Sequence, residues 1–158
     1  MEANTGERRI LLVGESNPYG ADPEFALFPL PERASGARLQ EILRLSTGEY
    51  LRRHDRVNLC AEGKWSGPLA RQSAHAHLAE RQALPYNTGI IALGSKVAAA
   101  FNCPFDPFLC KHWADGVALL VLPHPSGRNR AWNVPDAAGR VRAAYEDLWN
   151  RVNPENQR

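Results

Sequence analysis

Val117-Ala-Leu-Leu-Val-Leu-Pro-His-Pro-Ser-Gly-Arg-Asn-Arg130 joins the most strongly apolar run of the chain directly to a turn of two prolines, a histidine and two arginines. An apolar run of this length, bounded by turn residues, predicts a strand buried on both faces. Three shorter runs read the same way: Arg9-Ile-Leu-Leu-Val-Gly14, Arg56-Val-Asn-Leu-Cys60 and Thr88-Gly-Ile-Ile-Ala-Leu-Gly94. Helical patterns separate them. Leu39, Ile42 and Leu43 follow Ser35 as an N-cap. Ser46-Thr-Gly-Glu49 is a capping box opening a short helix through His54. Pro68 suits the first turn of a helix running to about Ala83, and Ser95 is placed to cap a helix from Lys96 to Phe101. The segment from Asn102 to Gly116 reads as irregular, and a last helix spans about Asp136 to Val152. This alternation predicts an α/β fold: a four-stranded, mainly parallel sheet between two helical layers, as one domain over residues 1–158.

Composition narrows the function. With 158 residues, 44% hydrophobic and 23% charged, the chain has enough apolar material for one ordinary domain. The balance of 19 Lys+Arg against 17 Asp+Glu means that any contact with a polyanion must come from local clustering of charge. No apolar run approaches the ~20 residues that cross a bilayer. The polar start, Met1 to Arg9, lacks the apolar core of a secretion signal, so a cytoplasmic protein without membrane contact is expected. Three cysteines argue against a disulfide framework and are too few for an iron–sulfur cluster. Cys103, Cys110 and His112 form no CxxC or HExxH pattern, so idle or buried thiols are expected, with no metal and no cofactor. His54, beside Arg52 and Arg53, reads as a solvated helix end, and His75 and His77 as surface or packing residues.

Ligands of such sheets bind beyond the carboxyl ends of the strands. Two of those ends carry chemistry. In Gly14-Glu-Ser-Asn-Pro-Tyr-Gly20 a glycine allows close backbone approach, and Glu15, Ser16 and Asn17 stand on a turn stiffened by Pro18. Asn17 can orient a water molecule and Glu15 can deprotonate one. The same polar groups serve equally well to cap a strand-ending turn. In His124-Pro-Ser-Gly-Arg-Asn-Arg130 the imidazole is held between Pro123 and Pro125. Ser126 and nearby amides can grip a phosphate, Gly127 permits close approach, and Arg128 and Arg130 supply local positive charge.

Together these segments resemble the uracil-DNA glycosylase superfamily. The first is similar to its water-activating loop and the second to its His-Pro-Ser loop, most of all in the single-strand-selective monofunctional branch, where His-Pro-Ser-Pro-Arg-Asn occurs. Asn58 falls where the superfamily places its base-reading asparagine, and the order along the chain is the same. There are departures: one extra residue separates Gly14 from Pro18, and Gly20 stands where the best-known branch has histidine.

The resemblance implies a uracil-DNA glycosylase-like sandwich that hydrolyses the N-glycosidic bond of a flipped-out uracil or modified pyrimidine in DNA. It assigns catalysis to His124 and Asn17, with Glu15 in reserve, and base binding to Asn58, Phe28 and Tyr19. Phe25 stands behind Phe28, and either ring suits ordinary core packing as well. Phosphate contacts fall to Ser126, Gly127, Arg128, Arg130 and Ser95, while Trp132 and Asn133 shape or anchor the loop. With few lysines, and none in either motif, a monofunctional enzyme is expected. It would act as a monomer on DNA carrying a damaged or modified pyrimidine. Two alternatives stay open: excision of hydroxymethylated or glucosylated cytosine from phage DNA as antiviral defence, and a catalytically weak module that binds damaged or abasic DNA.

Overall fold

The predicted apolar runs become four of the five strands: β1 (Ile10–Ser16), β2 (His54–Cys60), β3 (Thr88–Leu93), β4 (Cys110–His112) and β5 (Val117–Leu122). The computed structural model describes residues 6–16, 26–29, 35–60, 64–106, 108, 110–125 and 130–157. The sheet order is β2-β1-β3-β5-β4, with β2, β1, β3 and β5 mutually parallel. Five strands in a mixed sheet replace the expected four. The addition is β4, which runs antiparallel to β5 from Cys110 opposite Leu120 to His112 opposite Ala118. Cys110-Lys-His112 is too short and polar to give an apolar signal. Its formation has a physical reason, because the backbone groups along the outer edge of β5 would otherwise lack partners. Gly116, at φ 87°, makes the turn that returns the chain into β5.

Strict alternation along the parallel strands divides the interior in two. Ile10, Leu12, Ile91, Leu93, Leu120 and Leu122 face one core, which they share with helices α1 (Ser35–Leu43), α2 (Thr47–Arg53) and α5 (Ala137–Val152). Leu11, Val13, Ile90, Ala92, Leu119 and Val121 face the other, covered by α3 (Gly67–Gln82) and α4 (Ser95–Ala100). A strand buried on both faces needs apolar side chains at both parities, which is why these segments are continuous apolar runs. Each fully buried Leu or Ile contributes roughly 1.5–3 kcal/mol. Among the described residues no helix is long and apolar enough to cross a membrane.

Helix termini follow local chemistry, with two corrections: Ser35, expected as an N-cap, is itself the first residue of α1. Ser46 caps α2: its Oγ accepts the Glu49 N–H at 3.1 Å and its hydroxyl donates to Glu49 Oε1. Ser46→Ala is therefore expected to destabilise the fold by about 1 kcal/mol in chemical denaturation. Ser95 does not cap α4. The cap position belongs to Gly94, which makes no side-chain bond, and Ser95 is the exposed first residue of the helix.

His54 is likewise not a solvated helix end. It opens β2 and is fully buried between Tyr50 and Tyr145. Pairing of β2 with β1 starts at Ile10 opposite His54 and draws this residue into the core. Of its arginine neighbours, Arg52 lies outside, paired with Glu7 at 3.4 Å, whereas the Arg53 guanidinium stacks 4.4 Å from the Trp149 ring centre.

Candidate functional site

From β1 the chain crosses to β2 on one side, then returns past β1 to β3 on the other. Such a reversal opens a crevice at the carboxyl ends of β1 and β3. Glu15 lies near the end of β1, Gly94 follows β3, and His124 stands just beyond β5. A Cβ built on Gly94 would lie 3.3 Å from His124 Cβ, 3.8 Å from His124 Cδ2 and 3.9 Å from Glu15 Oε1. An imidazole and a carboxylate thus meet over the bare face of one glycine. That glycine also has φ 95° and ψ 170°, a region almost closed to other residues. Gly94→Ala is expected to cost about 1–3 kcal/mol of stability and to displace the imidazole. Urea denaturation measures the first effect and a histidine NMR spectrum the second.

The histidine loop is fastened at consecutive carbonyls. Trp132 Nε1 donates to the His124 carbonyl at 2.9 Å, and Arg38 Nε donates to the carbonyl of Pro125. Both flanking prolines are buried. Burial holds the His124 pKa below the usual histidine range against the opposing pull of the Glu15 carboxylate. The ring is consequently neutral at neutral pH and can offer one N–H as a donor.

Across the crevice, Gly14 of β1 pairs with Asn58 of β2. Asn58 Oδ1 fills the space of the missing side chain, 2.6 Å from where a Gly14 Cβ would be. The Asn58 amide, half-buried on β2, carries both a donor and an acceptor. Phe28 is half-buried, stands outside the two core clusters, and has the Arg56 guanidinium 5.3 Å from its ring centre. Its short segment is tied down on both sides. Arg56 Nη1 donates to the Ala26 carbonyl at 3.0 Å, and the Tyr50 hydroxyl donates to the Leu27 carbonyl at 2.8 Å. Gly36, at the start of α1, lies so close to the Leu27 and Phe28 carbonyls that a Cβ would collide with them.

The fold therefore brings Glu15, His124, Gly94 and Ser95 to one end of the sheet, with Asn58 on the neighbouring strand. Arg130 opens a 3-10 turn, Arg130–Asn133, whose Trp132 anchors the histidine loop. Asn17, Tyr19, Phe25, Ser126, Gly127 and Arg128, as well as the side chain of Arg130, lie outside the described residues.

Two contributors carried no signal in the sequence. Arg38 lies 87 residues from the carbonyl it holds. Lys96, outside both motifs, brings its Nζ to 4.0 Å from Glu15 Oε2, with its ammonium 5.9 Å from the Trp65 ring centre. Among the described residues no group of three or more His, Cys, Asp or Glu side chains could hold a metal ion. No protein-family model matches this chain, and no curated protein matches it.

Proposed function

We propose that this chain is a uracil-DNA glycosylase-like enzyme that removes a flipped-out uracil or modified pyrimidine from DNA by hydrolysis, leaving an abasic site. The observation that carries the reading is the meeting of His124 and Glu15 over Gly94, with the Asn58 amide on the adjoining strand. The ordered motifs of the sequence support it independently.

Cleavage of the glycosidic bond leaves negative charge on the departing base and positive charge on the sugar. A neutral imidazole fixed at the edge of the base donates a hydrogen bond that strengthens as the base oxygen gains charge. A cationic imidazole would also attract that charge, but burial opposes it here. Asn58 reads the polar edge of the base through its donor and acceptor, and Phe28 stacks on the ring. Water attacks from the sugar side, positioned by Asn17, with Glu15 as the carboxylate that can accept its proton. Ser95, Ser126, Gly127, Arg128 and Arg130 hold the flanking phosphates, with Tyr19 as a wall of the base pocket.

Oligonucleotides carrying uracil, hypoxanthine, hydroxymethylcytosine or glucosylated hydroxymethylcytosine test this reading. Each is incubated with the protein and treated with alkali, which breaks DNA at abasic sites. Breaks at one pyrimidine are expected. Retention of the oligonucleotides without base release from any of them would replace the enzyme by a damage-binding module.

A further inference from the structure

The expectation of a monofunctional enzyme rested on the absence of lysine from both motifs. The folded site does contain one. Lys96 sits on the first turn of α4, immediately after Gly94 and Ser95, and its Nζ stands 4.0 Å from the Glu15 carboxylate. Glu15 in turn faces Gly94 and His124. Neither of the other two lysines has this placement. Lys64 is exposed ahead of α3, and Lys111 belongs to β4, where it lies over Trp113.

We propose that Lys96 gives the protein a second activity, an abasic-site lyase acting on the sugar left after base removal. The proposal rests on the glycosylase reading, because that reading puts the deoxyribose beside Glu15. An abasic deoxyribose opens to an aldehyde at C1′. The uncharged Lys96 amine adds to C1′ and water is lost, giving an iminium ion. Glu15 removes a proton from C2′. The electron pair of that C–H bond forms the C2′–C3′ double bond as the C3′–O bond breaks. The 3′ strand departs with a 5′-phosphate. Water then hydrolyses the iminium, restoring the amine and releasing an unsaturated aldehyde on the other strand end. No oxidant or reductant is needed.

The carboxylate that stands beside the amine is also the group that takes the C2′ proton. Lys96 is half-exposed, 55% for its side chain, so an open-chain sugar can reach it.

The test uses the full chain and an oligonucleotide with a preformed abasic site, which makes it independent of base removal. With borohydride present, the wild-type protein is expected to form a covalent DNA adduct that maps to Lys96. Without it, strand breaks should appear with no alkali treatment. Lys96→Gln should lose both, while Lys64→Gln should retain both. Lack of a wild-type adduct, or an adduct that persists in Lys96→Gln, overturns the proposal. The alkali assay on base-containing oligonucleotides separates the two readings. Base release without an adduct removes the lyase alone, and an adduct without base release removes the glycosylase alone.

Discussion

His124→Ala is expected to slow base release by ~100- to 1000-fold, about 2.7–4 kcal/mol of barrier, while DNA affinity stays close to wild type. The imidazole is assigned to charge that appears only as the base departs, so its loss should lower kcat and leave ground-state binding nearly intact. An equal loss of affinity and rate would assign the ring to binding instead. The pH profile gives a second reading. Burial lowers the His124 pKa, so any change in activity caused by titration of this ring should fall on the acid side of the usual histidine range. Trp132→Phe keeps the packing but removes the hydrogen bond to the His124 carbonyl. It should lower kcat less than His124→Ala and leave KM nearly unchanged. These measurements compare single-turnover rates and DNA binding on the oligonucleotide that the base-release assay selects.

Stability is expected to fall by about 3 kcal/mol between neutral pH and about pH 4 through His54 alone. Its Nδ1–H donates to the Tyr50 carbonyl at 2.7 Å, so Nε2 must accept the Tyr145 hydroxyl, also at 2.7 Å. This arrangement needs a neutral ring. Burial lowers the pKa from 6.5 to about 4, and nearby Arg53, Arg9 and Arg56 push in the same direction. Between these values the unfolded chain binds a proton that the folded chain refuses. The contribution is therefore complete above about pH 6.5 and is lost as pH falls toward about 4. Urea denaturation across this range measures it. His54→Gln supplies the control, since an amide can donate to one partner and accept from the other without titrating. The slope assigned to His54 should disappear in that variant, and an unchanged slope would refute the assignment.

The strands were legible because burial on both faces demands continuous apolar runs, as in Val117–Leu122 and Thr88–Leu93. Capping at Ser46 was legible too, since the bond from the Glu49 N–H to its hydroxyl oxygen spans only three residues. β4 was not, because Cys110-Lys-His112 has no apolar pattern and exists through the edge of β5 that it pairs. The burial of His54 was not legible for a related reason. Two arginines precede it in the chain, yet its burial depends on Tyr145, 91 residues away.

At the site, the sequence by itself determined that a rigid Pro-His-Pro turn leaves one apolar strand and that Gly14 and Glu15 follow another apolar run. The turn expected at Gly14 is a correction: β1 continues through Glu15 to Ser16, because Gly14 and Ser16 still pair with Asn58 and Cys60 of β2. Only the tertiary structure decided that both segments converge on Gly94, that Lys96 joins them, and that Arg38 holds the histidine loop from a distant helix. The reason is physical. Parallel neighbours in a sheet are joined through long crossovers, so the order β2-β1-β3-β5-β4 sets which strand ends share a crevice. Contacts made there depend on distance in space, which hydrophobic periodicity along a chain does not encode.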